Sequence, residues 1–253
     1  NERTFAFLFG LLDEIMEIFP FEYIHLGGDE AVKDEWKRCP NCQKVKREQG
    51  LKDERELQGW FLSRVSRYLE NRGRKAIIWN DGLCASLDPG IVCQYWRPFL
   101  AGGKHNAAHY ANAGERVIGS DFFHMYFDYP YAATPLKKTF HYEPVLRGVK
   151  KSARANFTGM ECAVWTEWID TEEKLFFNML PRLAAAAEAG WSKQRRNYRE
   201  FVGKLPSHYA LYERLGLTYA KDAEKQEPFW KQLKTIKTFL TQNTHVELPG
   251  GGV

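Results

Sequence analysis

Short apolar runs alternate with amphipathic segments along most of this 253-residue sequence. Residues 4–19, TFAFLFGLLDEIMEIF, carry apolar side chains at helical spacing and stop before Pro20, which predicts a helix. FEYIHLGG at 21–28 is short and apolar and reads as a strand. Residues 33–50 are charged and helical in character with Gly50 as a stop, and 56–73, ELQGWFLSRVSRYLENRG, form a second amphipathic helix ending at Gly73. KAIIWNDG at 75–82 is an apolar run closed by a turn signal. The order then repeats, with strands at 91–96 (IVCQYW), 115–121 (ERVIGSD) and 156–165 (NFTGMECAVW) and helices at 105–114 and 171–191. Residues 122–155 read as a long aromatic-rich loop, 198–240 as two helical pieces, and the terminal ELPGGGV as a frayed tail.

Strands alternating with helices imply parallel strands joined by crossover helices, and continuously apolar strands imply burial of both sheet faces. Two architectures satisfy this pattern, an open doubly wound sheet and a closed (β/α)8 barrel. The turn after the first strand, HLGGDE, lacks the G-x-G-x-x-G spacing of a dinucleotide site, which removes the best support for the open sheet. A chain of this length can bury one sizeable core.

Charge excludes some partners. Lys and Arg number 36 against 32 Asp and Glu, a net of +4 spread along the chain, so nothing argues for nucleic acid or an anionic membrane. No stretch approaches the roughly 18 apolar residues of a membrane span, and the first ten residues lack the order of a signal peptide. Of five cysteines, only Cys39 and Cys42 are close in sequence. With no second pair at ligand spacing, they read as a local disulfide or two loop thiols in preference to a zinc site.

In parallel α/β proteins, chemistry sits at the carboxyl ends of the strands. Here those ends carry Gly27-Gly28-Asp29-Glu30, Trp79-Asn80-Asp81 and Tyr95-Trp96-Arg97, the fourth leads into Met125-Tyr126-Phe127-Asp128, and the fifth carries Trp165-Thr166-Glu167-Trp168. Aromatic faces around a few carboxylates suit a sugar, whose C–H faces stack on Trp while its hydroxyls need fixed acceptors. The plainer alternative is that Trp79, Trp96 and Trp165 are core residues. Asp29 and Glu30 have two readings as well. In a continuing strand they would point to opposite faces, but the two preceding glycines permit turns that let both rise over a cavity. Otherwise they are helix-start carboxylates favoured by the dipole.

The segment His25-Leu26-Gly27-Gly28-Asp29-Glu30 resembles the H-x-G-G-D-E signature of glycoside hydrolase family 20, the β-N-acetylhexosaminidases. The resemblance runs on through Ile78-Trp79, Tyr95-Trp96-Arg97, Tyr126-Phe127-Asp128 and Trp165-Thr166-Glu167 to the LPSHYALYERLGLTY stretch, in order and at similar spacing. It implies a (β/α)8 TIM-type barrel and retaining, substrate-assisted hydrolysis, an exception to the two-carboxylate rule. By this resemblance Glu30 is the general acid on the glycosidic oxygen. Asp29 holds the 2-acetamido N–H while the acetamido oxygen attacks the anomeric carbon to give an oxazolinium. Tyr126 bonds the acetamido oxygen, and Asp128 supports that part of the site. Trp79, Trp96 and Trp165 wall the pocket, and Glu167 accepts from hydroxyls on the far side of the sugar. No metal or cofactor is implied, and the expected partner is an N-acetylhexosamine-containing glycan or glycoconjugate. The family also favours a location outside the cytoplasm.

Two departures qualify the match. Many members carry a further Trp after the Tyr-x-Asp segment, where residues 129–145 offer Tyr129, Tyr131, Phe140 and Tyr142. The sequence also starts at what resembles the helix before the fourth barrel strand. Residues 1–197 are therefore expected to supply roughly strands 4 to 8, with 198–253 a helical extension packed on the barrel and a flexible tail. The first three strands are expected on another segment or chain. Two rivals remain. GGDE also opens the diguanylate cyclase signature, but Ala31-Val32 and a helix follow here instead of the usual aromatic. A carbohydrate-binding pseudoenzyme would keep the aromatic pocket without turnover.

Overall fold

The computed structural model describes residues 1–97, 107–192, 196–225 and 227–242. The chain divides into two compact units, one of residues 1–119 and 145–158, the other of 120–144 and 159–253.

The first unit opens with α1 (Glu2–Ile18), β1 (Tyr23–His25), α2 (Asp34–Arg38), α3 (Pro40–Glu48) and α4 (Glu54–Glu70). It continues with β2 (Lys75–Trp79), β3 (Val92–Tyr95), α5 (Ala107–Asn112) and β4 (Val117–Gly119). Residues 105 and 106 of the helix expected at 105–114 lie outside the described residues. Two other expectations are corrected. The single helix at 33–50 is two helices, because Cys39 before Pro40 is extended, as steric clash with a following proline ring demands. The apolar runs are buried less evenly than expected. All four residues of β3 are buried, whereas β2 alternates, with Ala76 and Ile78 buried and Ile77 and Trp79 only partly so. In β1 only Ile24 is buried.

Among the described residues the sheet has five strands in the order β1-β2-β3-β4-β5, where β5 is Phe157–Met160. Pairing from β1 through β4 is parallel, with Ile24 opposite Ala76, Ile78 opposite Cys93 and Gln94 opposite Ile118. Consecutive strands thus lie side by side, as crossover helices require. The core of this unit joins Leu69, Ile78, Cys93 and Val117, all fully buried, to Phe5, Leu12 and Met16 of α1. Each such burial contributes about 1.5–3 kcal/mol. Asp53 caps α4 by accepting from the backbone N–H groups of Arg55 and Glu56. Past that cap, α4 presents Leu57, Leu62, Val65 and Leu69 inward.

The second unit holds α6 (Phe122–Met125), α7 (Leu136–Phe140), α8 (Glu172–Met179), α9 (Arg182–Trp191), α10 (Tyr198–Arg214) and α11 (Phe229–Gln242). The segment expected as a loop at 122–155 contains α6, α7 and a 3-10 turn at Lys151–Asn156. These are too short to show helical periodicity in the sequence. The expected helix at 171–191 is broken between α8 and α9, with Leu180 extended before Pro181. The strand expected at 156–165 shortens to β5, and its continuation returns as a parallel bridge between Tyr126 and Ala163. Leu136 and Phe140 of α7 pack with Ala185 of α9 and Phe201 and Leu205 of α10, where the small alanine side chain permits close helix approach. The expected frayed tail lies outside the described residues.

Candidate active site

In the first unit the site is built on the turn that leaves β1. Leu26 donates its N–H to the Ile77 carbonyl and Trp79 to that of Gly27, extending the strand register by hydrogen bonds at 2.8 and 2.9 Å. The chain then turns through Gly27 at φ 73°, Gly28 at φ 94° and Glu30 at φ 47°. The first two positions suit glycine, but a left-handed Glu costs roughly 1–2 kcal/mol. Several contacts hold it there. The Glu30 N–H donates to Asp81 Oδ2 at 3.2 Å, and Arg97 Nη1 lies 3.4 Å from Glu30 Oε1. Buried Gln58 of α4 donates to the Gly28 carbonyl at 2.7 Å. The His25 ring nitrogen Nδ1 accepts from the Gly27 N–H at 3.0 Å.

This geometry answers the question raised by the adjacent acids. β1 has ended at His25, so strand alternation does not apply to Asp29 and Glu30. α2 begins only at Asp34, after Lys33, so neither acid lies in a helix first turn. Both are exposed, displayed by a strained turn at a strand's carboxyl end.

Beside this turn, Trp79 lies 4.9 Å from the His25 ring and 6.3 Å from Trp96, the two indoles being nearly perpendicular. Both tryptophans are half-buried. Trp96 Nε1 donates to Asp81 Oδ1 at 2.9 Å, so Asp81 links the Glu30 backbone to the indole wall. Asn80 fixes the next turn, its Oδ1 accepting from the N–H groups of Trp96 and Arg97 and its Nδ2 donating to the Arg97 carbonyl. Sequence reasoning assigned no role to Asn80, Asp81 or Arg97. Their signal was position, since each directly follows a strand-end tryptophan or, for Asp81, the residue after one.

The second unit carries Tyr126, Asp128, Trp165 and Glu167. Phe127 N–H donates to the Ala163 carbonyl at 2.8 Å and Ala163 N–H to that of Met125 at 2.9 Å, so these two segments run in parallel and deliver their ends together. Tyr126 and Trp165 have ring centres 6.4 Å apart. Trp165 is 44% exposed, which argues against a core role for it. Of the four aromatics that could replace the family's further Trp, Phe140 and Tyr142 are buried, and Tyr131 donates its hydroxyl to the Leu180 carbonyl. Tyr129 instead packs on Trp168 at 5.5 Å.

Beneath this group lies Arg182, which sequence reasoning missed although an Arg after Leu-Pro in an alanine-rich run is unusual. It is fully buried. Its guanidinium donates to the carbonyls of Phe127 at 2.6 Å, Tyr129 at 2.9 Å, Thr134 at 3.3 Å and Asn178 at 2.7 Å. Burial pulls its pKa down to about 10, which leaves it a cation at neutral pH. The planar fork suits simultaneous bonding to several carbonyls.

Asp128 is 3% exposed, and its Oδ1 is buried with no hydrogen-bond partner among the described residues. Burial, and secondarily the charge of Glu167, raise its pKa from 3.8 to about 7, against the opposing pull of backbone N–H groups and Arg182. The folded protein therefore holds a proton on Asp128 between about pH 4 and pH 7 that the unfolded chain has lost. Stability falls as pH rises through that window and stays lowered above it. Asp128→Asn is expected to remove this dependence. Its melting temperature relative to wild type should rise from pH 4 to pH 8 by on the order of 5 °C, corresponding to a few kcal/mol. A difference independent of pH would contradict the assignment.

Of the eight residues expected from the sequence, Asp29, Glu30, Trp79 and Trp96 lie at the ends of β1, β2 and β3 or on the turns leaving them, whereas Tyr126, Asp128, Trp165 and Glu167 lie at or just past the bridge between Tyr126 and Ala163. Glu30, Asp29, Trp79 and Trp96 form one group and Tyr126, Asp128, Trp165 and Glu167 the other. Among the described residues no group of three or more His, Cys, Asp or Glu is placed to hold a metal. Cys39 and Cys42 are free thiols at the start of α3.

Comparison with known proteins gives these positions a context. Residues 1–194 match the catalytic domain of glycosyl hydrolase family 20. A β-hexosaminidase of Porphyromonas gingivalis is 30% identical over 234 residues, 87% of this chain and 29% of that protein. The crystal structure of β-N-acetylhexosaminidase from Bacteroides fragilis superposes with a TM-score of 0.75 at 30% identity, covering 90% of this chain and 49% of that one. The Vibrio harveyi exo β-N-acetylglucosaminidase, solved with N-acetylglucosamine, gives 0.74 at 29% identity over 86% of this chain and 36% of its own. The chain thus spans less than half the length of these relatives. With its parallel five-stranded sheet and flanking helices, it belongs to glycosyl hydrolase family 20 and forms part of a (β/α)8 barrel catalytic domain.

Proposed function

We propose that the complete enzyme removes terminal β-linked N-acetylglucosamine or N-acetylgalactosamine with retention, by substrate-assisted catalysis through an oxazolinium. The observation that carries this reading is the turn after β1, which exposes Asp29 and Glu30 side by side while Asp81 and Arg97 tether Glu30. In the proposed roles, Glu30 protonates the glycosidic oxygen and Asp29 orients the acetamido N–H. The acetamido oxygen then forms a bond to the anomeric carbon as the bond to the leaving oxygen breaks, and water, giving its proton to the now ionised Glu30, later opens the oxazolinium from the face the leaving oxygen vacated. Tyr126 donates to the acetamido oxygen. Trp79, Trp96 and Trp165 stack on the sugar and its N-acetyl group. Glu167 accepts from sugar hydroxyls, and the buried Oδ1 of Asp128, without a hydrogen-bond partner among the described residues, suits a polar group of the substrate.

Completion of the barrel by three further strand units on another segment or chain is part of this proposal. The partial exposure of Ile77 and Trp79 and the poor burial of β1 support it. The proposal also assigns residues 1–197 to the barrel and 198–253 to a helical extension, and a family match ending at residue 194 supports that boundary. Among the described residues no helix is long and apolar enough to cross a membrane. A site of action outside the cytoplasm rests on the family alone.

The test is release of phenol from an aryl β-N-acetylglucosaminide by the complete enzyme. Turnover is expected. Binding of N-acetylglucosamine without turnover would favour the pseudoenzyme alternative.

A further inference from the structure

A line of aromatic rings leaves the candidate site of the second unit and ends on its C-terminal helix. Between ring centres, Trp165 lies 6.4 Å from Tyr126, Tyr126 5.1 Å from Phe122, Phe122 5.0 Å from Tyr129 and Tyr129 5.5 Å from Trp168. Phe239 of α11 closes the line, nearly perpendicular to Trp168 at 4.7 Å and tilted against Tyr129 at 5.5 Å. Tyr129 directly follows Asp128, and Trp168 directly follows Glu167. One side chain of α11 therefore grips the two residues next to the carboxyl groups assigned to the sugar. α11 lies beyond the segment that matches the family domain.

Two observations concentrate the contact on Phe239. Phe229, Trp230, Leu233 and Leu240 of the same helix are between 49% and 72% exposed, so much of the apolar surface of α11 is not spent on docking. Trp168 Nε1 is buried with no hydrogen-bond partner among the described residues, so no hydrogen bond of that indole fixes its orientation. Ring packing does, and edge-to-face pairs at these distances are directional.

We propose that Phe239 is a positioning residue for substrate binding. By clamping Tyr129 and Trp168 it fixes the backbone of Asp128 and Glu167 in register with the sugar. The inference rests on the hydrolase reading above and adds an element from outside the family domain to its binding site. Asp29 and Glu30 lie on the turn after β1 and not on the segments that Phe239 clamps, so Phe239 acts on KM and leaves proton donation by Glu30 and the hold of Asp29 on the acetamido N–H intact.

The experiment is steady-state kinetics of the whole enzyme on an aryl β-N-acetylglucosaminide. Phe239→Ala is expected to raise KM about 10-fold with kcat within about 3-fold of wild type, the pattern of lost ground-state binding. Phe239→Leu, which keeps apolar contact, should restore most of the affinity. Phe229→Ala, on the same helix at an exposed position, should leave KM unchanged. An unchanged KM in Phe239→Ala, a loss confined to kcat, or an equal KM rise in Phe229→Ala would overturn the proposal. Trp168→Phe gives a second reading that keeps the ring and removes the covered N–H. KM within about 2-fold supports ring packing, and a 10-fold rise would assign the indole N–H itself to the sugar and overturn the clamp. If the wild type does not turn over, the hydrolase reading fails. The clamp is then judged by calorimetric affinity for N-acetylglucosamine, which Phe239→Ala should weaken about 10-fold and Phe229→Ala should not.

Discussion

Glu30→Gln is expected to lower kcat/KM on a glycan substrate by about 10²–10⁴-fold, the range for loss of a positioned general acid. On an aryl glycoside whose phenol leaves readily, the loss should be about 10-fold or less, because such a leaving group needs little protonation. The substitution is nearly isosteric, and the Glu30 backbone stays tied through its N–H to Asp81, so the left-handed turn should survive. Asp29→Asn is expected to behave differently and slow both substrates by comparable factors, since it disturbs formation of the oxazolinium and not departure of the aglycone. Equal losses for both variants on both substrates would contradict the division of labour.

The largest effect on stability is expected at Arg182. Arg182→Met removes a fully buried guanidinium that donates to four carbonyls, those of Phe127 and Thr134 in buried contacts and those of Tyr129 and Asn178 in partly buried ones. Truncating one partner of such a buried charged network costs roughly 3–5 kcal/mol, enough to lower Tm by on the order of 10 °C in a protein of this size. Three of those carbonyls belong to the 127–134 segment, which also carries Asp128. The variant should therefore bind substrate poorly even below its melting transition. Arg182→Lys keeps the charge but cannot span all the acceptors, so an intermediate loss is expected. A Tm for Arg182→Met within about 2 °C of wild type would show that the network is not structural.

The parallel sheet and the strand-end positions of Asp29, Glu30, Trp79 and Trp96 were legible because both follow from local pattern. Apolar runs such as KAIIW become strands, and the polar residues just past them fall at one end of a parallel sheet. Asp29 and Glu30 could be singled out because two glycines precede them, and the left-handed angles of Gly27 and Gly28 are the physical content of that signal. Two helix breaks carry a visible cue. Pro40 and Pro181 each end a helix that periodicity alone would have continued, since the residue before a proline is driven out of helical geometry. Other features have no local cue. The bonds from Asp81 to Trp96 and to the Glu30 backbone link residues 15 and 51 positions apart. The four acceptors of Arg182 become neighbours only after the chain folds. Long-range polar partnerships of this kind leave no periodicity to read.

If the substrate's own acetamide is the nucleophile, paired substrates that differ only at C2 must react at very different rates. Hydrolysis of an aryl β-N-acetylglucosaminide should exceed that of the corresponding aryl β-glucoside by at least about 10³-fold in kcat/KM, because the glucoside offers no neighbouring carbonyl oxygen. Comparable rates on the two substrates would contradict substrate assistance and require an enzymic nucleophile in its place.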